Sequence, residues 1–186
     1  MERRKYYTEI GGNMKVNKEI IIRKAEIEDV PSIIKLASES IIHSVSPFRN
    51  MDIEKAIEYR RDDLKEIEKW VSPESSGILL VAETEEGEFC GHVILVTGYF
   101  GITGDPLGWI LDITVCPPFR GTGLSQKLHE IVEIILKEQH IGGICLGVTS
   151  VNERAVNFYK KLGYQEEFVQ LVKVLQDSGV KLSREK

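Results

Sequence analysis

The 186-residue sequence predicts one α/β (α+β) domain built on a mixed central β-sheet, antiparallel in its N-terminal strands and partly parallel in its C-terminal ones, with helices over its faces. Three observations lead there. Apolar residues make up 42% of the chain, enough for a single core at this length. The elements read in the order β-α-α-β-β-β-α-β-α-β. Three central strands in a meander call for antiparallel pairing, whereas the later β-α-β-α-β alternation calls for crossovers and parallel neighbours.

Residues 1–18 are read as a loosely ordered leader, charged from the second residue and broken by Gly11-Gly12-Asn13, ahead of a domain at 19–176 and a polar tail at 177–186. Ile20 to Ala25 is a β-branched run and predicts the first strand. Asp29 as N-cap, Pro31 in the first turn and apolar Ile33, Ile34, Leu36 and Ala37 predict the first helix. Met51 to Trp70 carries Ile53, Ala56, Ile57, Leu64, Ile67 and Trp70 among dense charges and predicts a second amphipathic helix or a helix pair, stopping before Ser72-Pro73.

Gly77 to Ala82 and Phe89 to Gly98 are apolar runs joined by Glu83-Thr84-Glu85-Glu86-Gly87, the composition of a hairpin turn. A glycine-rich loop over 99–108 leads to a third strand of this set, Trp109 to Val115. Gly121 to Gln139 repeats Leu124, Leu128, Ile131, Ile135 and Leu136 on one helical face. Ile144 to Val148 reads as a buried strand, Asn152 opens a short helix ending before Leu162-Gly163, and Tyr164 to Leu175 returns to strand character.

The net charge of −5 comes from mixed charges without a long basic block, which argues against nucleic acid as a partner. Cys90, Cys116 and Cys145 are widely spaced and form neither a CxxC pair nor a Cys/His cluster, so they read as reduced thiols of a cytoplasmic protein with no metal site. No stretch is apolar for long enough to span a bilayer, and no membrane partner is expected.

The segment richest in chemistry runs from Leu111 through Val115, Cys116, Pro117, Pro118, Phe119, Arg120, Gly121, Thr122, Gly123, Leu124 and Ser125. A strand passes through a Pro-Pro turn into a glycine-bearing loop that opens an amphipathic helix. Glycines there let backbone approach an anion, free amides point outward, and the helix dipole adds positive potential. Neither the Walker A pattern nor the dinucleotide fingerprint is present. Taken alone, Gly121 and Gly123 fit a tight turn equally well. A second segment, Asn152-Glu153-Arg154-Ala155-Val156-Asn157-Phe158-Tyr159-Lys160-Lys161-Leu162-Gly163-Tyr164, reads as a capped helix with Ala155 on a packing face and Tyr159 two turns from its start.

Together the two segments, Val-x-Pro-x-x-Arg-Gly-x-Gly and then Asn-x-x-Ala-x-x-Phe-Tyr-x-x-Leu-Gly-Tyr, resemble the signature pair of the GNAT N-acetyltransferase superfamily. The resemblance covers roughly residues 20–175, with motif-level support between 109 and 164. It implies an acetyl-CoA-dependent N-acetyltransferase whose acceptor is an amine of a small molecule, peptide or protein. The backbone edge of Ile113, Thr114 and Val115 would hold the pantetheine arm. The loop amides of Arg120, Gly121, Thr122, Gly123, Leu124, Ser125 and Gln126 would hold the pyrophosphate. Ser125 departs from the family, which usually has Gly or Ala there. Asn152 and Ala155 would flank the pantetheine, and Tyr159 would be the general acid that protonates the departing thiolate.

The general base does not carry over. Where relatives place a carboxylate, this chain has Gly147, Trp109 and Leu111. Asp112 is the remaining acid on that strand and is the second catalytic candidate. Period-two alternation puts it on the face opposite Trp109 and Leu111, and an ordered-water chain is the alternative base. Surface roles are expected for His43, His129 and His140, while His92 is either packed or turned to the cleft. The missing base leaves open a second reading, a catalytically weak acyl-CoA-binding regulatory module. The resemblance also implies a homodimer through the late strands, with Phe168 to Leu175 as its surface.

Overall fold

The computed structural model describes residues 5–10, 18–49, 51–71, 75 and 77–175. The Gly11-Gly12-Asn13 run, the Ser72-Pro73 stop and the 177–186 tail lie outside the described residues. Six strands form one sheet in sequence order: β1 (Lys5–Ile10), β2 (Lys18–Lys24), β3 (Gly77–Thr84), β4 (Phe89–Tyr99), β5 (Pro106–Val115) and β6 (Gly143–Leu146). All neighbours are antiparallel except β5 and β6, which run parallel. The fold class predicted from sequence is therefore the one observed.

Each face of the sheet buries a separate core, which is why β3 and β4 are continuous apolar runs instead of alternating ones. On one face, α3 (Leu124–Glu138) lays Leu124, Leu128, Val132 and Leu136 against Ile20, Ile22, Leu80, Val93, Leu95 and Ile110. On the other, α1 (Val30–Ser40) and a 3-10 segment (Leu64–Val71) press Ile33, Ala37, Leu64 and Ile67 onto Leu79, Val81 and Ile94. Between them α2 (Ile53–Asp63) starts on Asp52, whose carboxylate accepts from the N–H groups of Glu54 and Lys55. The predicted helix pair over 51–70 is thus an α-helix continued by a 3-10 segment. The Glu83–Gly87 turn closes as a hairpin, Gly87 donating to the Thr84 carbonyl at 2.9 Å.

Four expectations change. Lys5–Ile10, inside the segment read as a loose leader, is strand β1 and pairs with β2, and Tyr6 packs on the α3-side core. Asp29 does not cap α1 with its side chain. It instead accepts from the Glu26 amide at 2.7 Å and ion-pairs with Arg23 at 2.7 Å, while Arg23 also holds Glu83 at 2.6 Å. Residues 144–146 are half-buried rather than buried, in a strand of four residues. Residues 164–175 form no strand: Phe168, Leu171 and Leu175 lie 66%, 88% and 82% exposed. Their β-branched and aromatic content favours a strand only where a neighbour supplies a ladder and a surface to cover. Here Glu166, Glu167, Gln170 and Lys173 break any strict two-residue alternation.

Candidate functional site

The site is organised by an irregularity in β5. Asp112 pairs with Ile94, but Ile110 pairs with Leu95, so Leu111 is an extra residue opposite no partner. A bulge of this kind advances the alternation by one. Gly108 and Ile110 face α3, as the packing of both against that side requires. Asp112 shares the face of Ile94, and Trp109 shares the face of Val96, which is the same side. The expectation that Asp112 faces away from Trp109 is therefore corrected: the bulge brings them to one face, and only Leu111 is turned out, 49% exposed.

The parallel pairing of β5 with β6 runs from Leu107–Gly143 to Ile110–Leu146 and then ends. Beyond it, Leu111 to Val115 continue beside β4 alone, so the backbone of Ile113, Thr114 and Val115 presents an edge without a strand partner among the described residues. Such an edge is a row of open donors and acceptors.

At the end of β5 the chain makes a 3-10 turn (Pro117–Phe119) and enters the glycine loop. The Arg120 Nε–H turns back to the Val115 carbonyl at 3.1 Å, and the Thr122 hydroxyl donates to the Phe119 carbonyl at 2.7 Å. Gly121 and Gly123 sit at φ +79° and +89°, left-handed conformations that glycine adopts without strain. A Cβ on either would meet nothing within 4 Å, so the space before the loop is open. Gly123 precedes α3 without a side-chain cap. The amides of Leu124, Ser125 and Gln126 therefore open the helix with no intrahelical acceptor, and backbone rather than side chains faces the space.

Around Asp112 the structure assembles groups from four elements. The Thr114 hydroxyl donates to its Oδ1 at 2.6 Å and itself lies 3.4 Å from the Ser40 hydroxyl of α1. Arg60 of α2 reaches its Oδ2 at 3.3 Å while also holding Asp63 at 2.7 Å. His92 of β4, wholly buried, brings Nε2 within 3.3 Å of Oδ1. Burial opposes ionisation of Asp112, but the adjacent imidazole, the Thr114 hydroxyl and the Arg60 charge outweigh it and hold the carboxyl below its usual range.

Tyr159 comes from α4 (Glu153–Lys161). Its phenol is pushed up to about 12, first by burial and then by the Asp112 charge, which places the two groups in one electrostatic environment. Its ring meets Tyr164 edge-on at 5.6 Å, and the Tyr164 hydroxyl lies 2.8 Å from His129 Nε2. Asn152 caps α4, accepting from the Ala155 amide at 3.2 Å, and its Nδ2 donates to the His43 carbonyl at 3.1 Å. That bond ties the start of α4 to the turn after α1.

Most of the sequence candidates thus fall into three groups: the open edge of Ile113 to Val115, the loop from Arg120 to Gln126, and Tyr159 with Asp112. Asn152 and Ala155 lie at the start of α4, with the Asn152 amide occupied by His43. Sequence reading missed His92 and Arg60 as companions of Asp112. The signal for His92 was present: it is a polar residue within the otherwise apolar run Cys90 to Val96. Arg60 was hidden among helix charges that usually face solvent. His129 was expected at the surface and is 2% exposed, because it packs under Tyr164. His43 is exposed, and His140 follows Gln139, the C-cap of α3, in a left-handed conformation. Among the described residues no helix is long and apolar enough to cross a membrane, and no group of three or more His, Cys, Asp or Glu could hold a metal ion.

Residues 43–164 match the family model described as Acetyltransferase (GNAT) family. An uncharacterized N-acetyltransferase of Archaeoglobus fulgidus is 30% identical over 139 residues, 74% of this chain and 88% of that protein. A solved protein from Pyrococcus furiosus, assigned as an acetyl transferase, superposes with a TM-score of 0.71 at 24% identity over 84% of this chain and 99% of its own. An assigned acetyltransferase from Clostridium acetobutylicum, solved with acetyl-CoA, gives 0.56 at 21% identity over 82% and 96%. The two structures are similar in fold.

Proposed function

Because the chain belongs to the acetyltransferase (GNAT) family, we propose that it transfers the acetyl group of acetyl-CoA to an amine by direct attack. The observation that carries this reading is the junction of an unpaired β5 edge with an uncapped helix start behind two left-handed glycines. The pyrophosphate would lie on the amides from Gly121 to Gln126, the Arg120 amide being bonded to the Pro117 carbonyl at 3.2 Å. The pantetheine arm would extend the sheet along Ile113, Thr114 and Val115. Asn152 and Ala155 would border that arm.

The thioester would then lie beside Tyr159 and the bulge at Leu111. The acceptor ammonium would meet the Asp112 carboxylate on the face shared with Trp109. Once the amine is neutral, its lone pair attacks the carbonyl carbon, and a backbone amide near Ile113 stabilises the oxyanion. Collapse breaks the C–S bond, and the thiolate takes the phenolic proton of Tyr159. The raised phenol stays protonated through neutral pH and is available to donate. Direct attack is favoured over an acyl-cysteine route because burial pushes the thiols of Cys116 and Cys145 up, leaving little thiolate.

The test is turnover against a panel of primary amines, from small diamines and amino sugars to peptide N-termini, in the parent chain and Tyr159→Phe. We expect at least one acceptor. The variant should lose roughly 100-fold or more in kcat while acetyl-CoA affinity stays within about twofold. Tight acetyl-CoA binding without turnover of any amine would instead favour the acyl-CoA-responsive binding module. Equal turnover by the variant would remove Tyr159 from the mechanism.

A further inference from the structure

A buried imidazole is an expensive thing to place in a sheet, and His92 is placed at 0% exposure with no hydrogen-bond partner for Nδ1 and with Nε2 met by the Asp112 carboxylate at 3.3 Å. It stacks at 6.4 Å on Phe89 of its own strand, and its cross-strand neighbour on β3 is Val81. The charged or titratable groups near the ring come from three other elements: Asp112 on β5 directly and, through Asp112, Arg60 with Asp63 on α2 and Tyr159 on α4. From α1 the contribution is the Ser40 hydroxyl, through Thr114. Asp112 is thus the acid set directly against the ring, and nothing on the far side of the imidazole competes for Nε2 among the described residues.

This geometry bears on the step for which the site otherwise lacks a group. An acceptor arriving as an ammonium ion must lose a proton before it can attack. Asp112 is anchored by Thr114 and Arg60 and is well placed to meet the ammonium, but a carboxylate so well stabilised holds a proton poorly. Imidazole is the side chain suited to hold one near neutral pH.

We propose that His92 is the positioning residue behind Asp112 and the resting place of the amine proton. The inference rests on the acetyl-transfer reading. The R–NH3+ group gives one proton to the Asp112–His92 pair, where it settles on Nε2 as an imidazolium beside the carboxylate. The freed lone pair forms the N–C bond. When the C–S bond breaks, its electron pair leaves with sulfur, and the thiolate takes the Tyr159 proton. The second proton of the amine nitrogen restores Tyr159, and the imidazolium returns its proton to solvent on product release. One ammonium and one thioester become one amide, one thiol and one proton, and the balance closes.

The experiment has two arms on the full chain. In the first, the imidazole resonance of His92 is followed by NMR across pH in the parent and in Asp112→Asn. The inference requires the titration midpoint of His92 to fall when the carboxylate is removed, and an unmoved midpoint overturns it. In the second, kcat/KM is measured across pH with acetyl-CoA and the best amine of the panel, in the parent, His92→Gln and His92→Phe. The expected loss for His92→Gln is roughly 100-fold near pH 7, with the acidic limb of the parent profile gone. Activity should recover to within about threefold of the parent once the medium is basic enough to supply neutral amine, and acetyl-CoA affinity should stay within about twofold. A loss equal at every pH, or an unchanged limb, shows a merely structural histidine and overturns the inference. A parent chain that binds no acetyl-CoA fails at the earlier step and overturns the acetyl-transfer reading together with this one. Binding and turnover with a pH profile indifferent to His92 overturns this one alone.

Discussion

Replacing Asp112 with Asn should lower the titration midpoint of Tyr159, and the size of the fall is bounded by the structure. The phenol is raised from the usual 10 to about 12, with burial the larger cause and the Asp112 charge the smaller. The whole displacement corresponds to about 3 kcal/mol at roughly 1.4 kcal/mol per pH unit. Asp112 therefore accounts for less than half of it, and the variant should bring the midpoint down by less than about 1 pH unit. The assay is tyrosinate absorbance against pH, taking the difference between each protein and its Tyr159→Phe counterpart so that a single phenol is followed. No movement would mean that the carboxylate and the phenol do not share a site. A full return to the ordinary value would mean that burial has no part in it. The point matters for the proposed mechanism because an acceptor ammonium held at Asp112 would offset the same charge. Substrate binding would then make Tyr159 a better acid at the moment its proton is needed.

Gly123→Ala places a side chain at φ +89° with open space around its Cβ, so its cost to the fold is backbone strain of about 1–2 kcal/mol. Calorimetric titration should show acetyl-CoA affinity falling at least about tenfold, since the methyl would point into the space proposed for the phosphates. Gly91→Ala would set a Cβ 2.7 Å from the Thr114 carbonyl, where only backbone can give way. A loss of about 1–3 kcal/mol by urea unfolding is expected, with an added loss of turnover because His92 and Asp112 flank the displaced strands. The pH dependence of stability has two signed consequences. Asp112 is held below its usual range, so its contribution is complete above the ordinary carboxylate value and is lost as pH falls through the lower folded one. Tyr159 is raised, so its contribution is present below the ordinary 10 and is lost as pH rises through about 12. Thermal melts should therefore show a flatter acid limb in Asp112→Asn and a flatter alkaline limb in Tyr159→Phe.

Local chemistry is what the sequence made readable. The glycine loop, its helix and the Asn152-capped α4 could be placed because strand ends, φ-permissive glycines and helical periodicity are all short-range signals. The companions of Asp112 were not so readable. The Leu111 bulge is a property of pairing between β4 and β5, and without it strict alternation turns Asp112 away from Trp109. His92 and Arg60 meet Asp112 only after two other elements have been laid beside β5. His129, whose neighbours on α3 suggest an edge position, is buried by Tyr164, 35 residues later in the chain. Residues 164–175 carry strand propensity that finds no ladder, and Lys5–Ile10 finds one with β2 that its own composition does not announce.

We propose the loop from Arg120 to Gln126 and the free edge of β5 as an acetyl-CoA site, and a thermal-shift titration puts that site to the test. Acetyl-CoA and CoA would be compared with ATP and NADH. Ligand at about 100 times its dissociation constant adds roughly 2.7 kcal/mol, which for a chain of this size is several degrees. That rise is expected with both CoA compounds and little with either control. A melting point unmoved by saturating acetyl-CoA would contradict it and leave Gly121 and Gly123 as a turn between a strand and a helix.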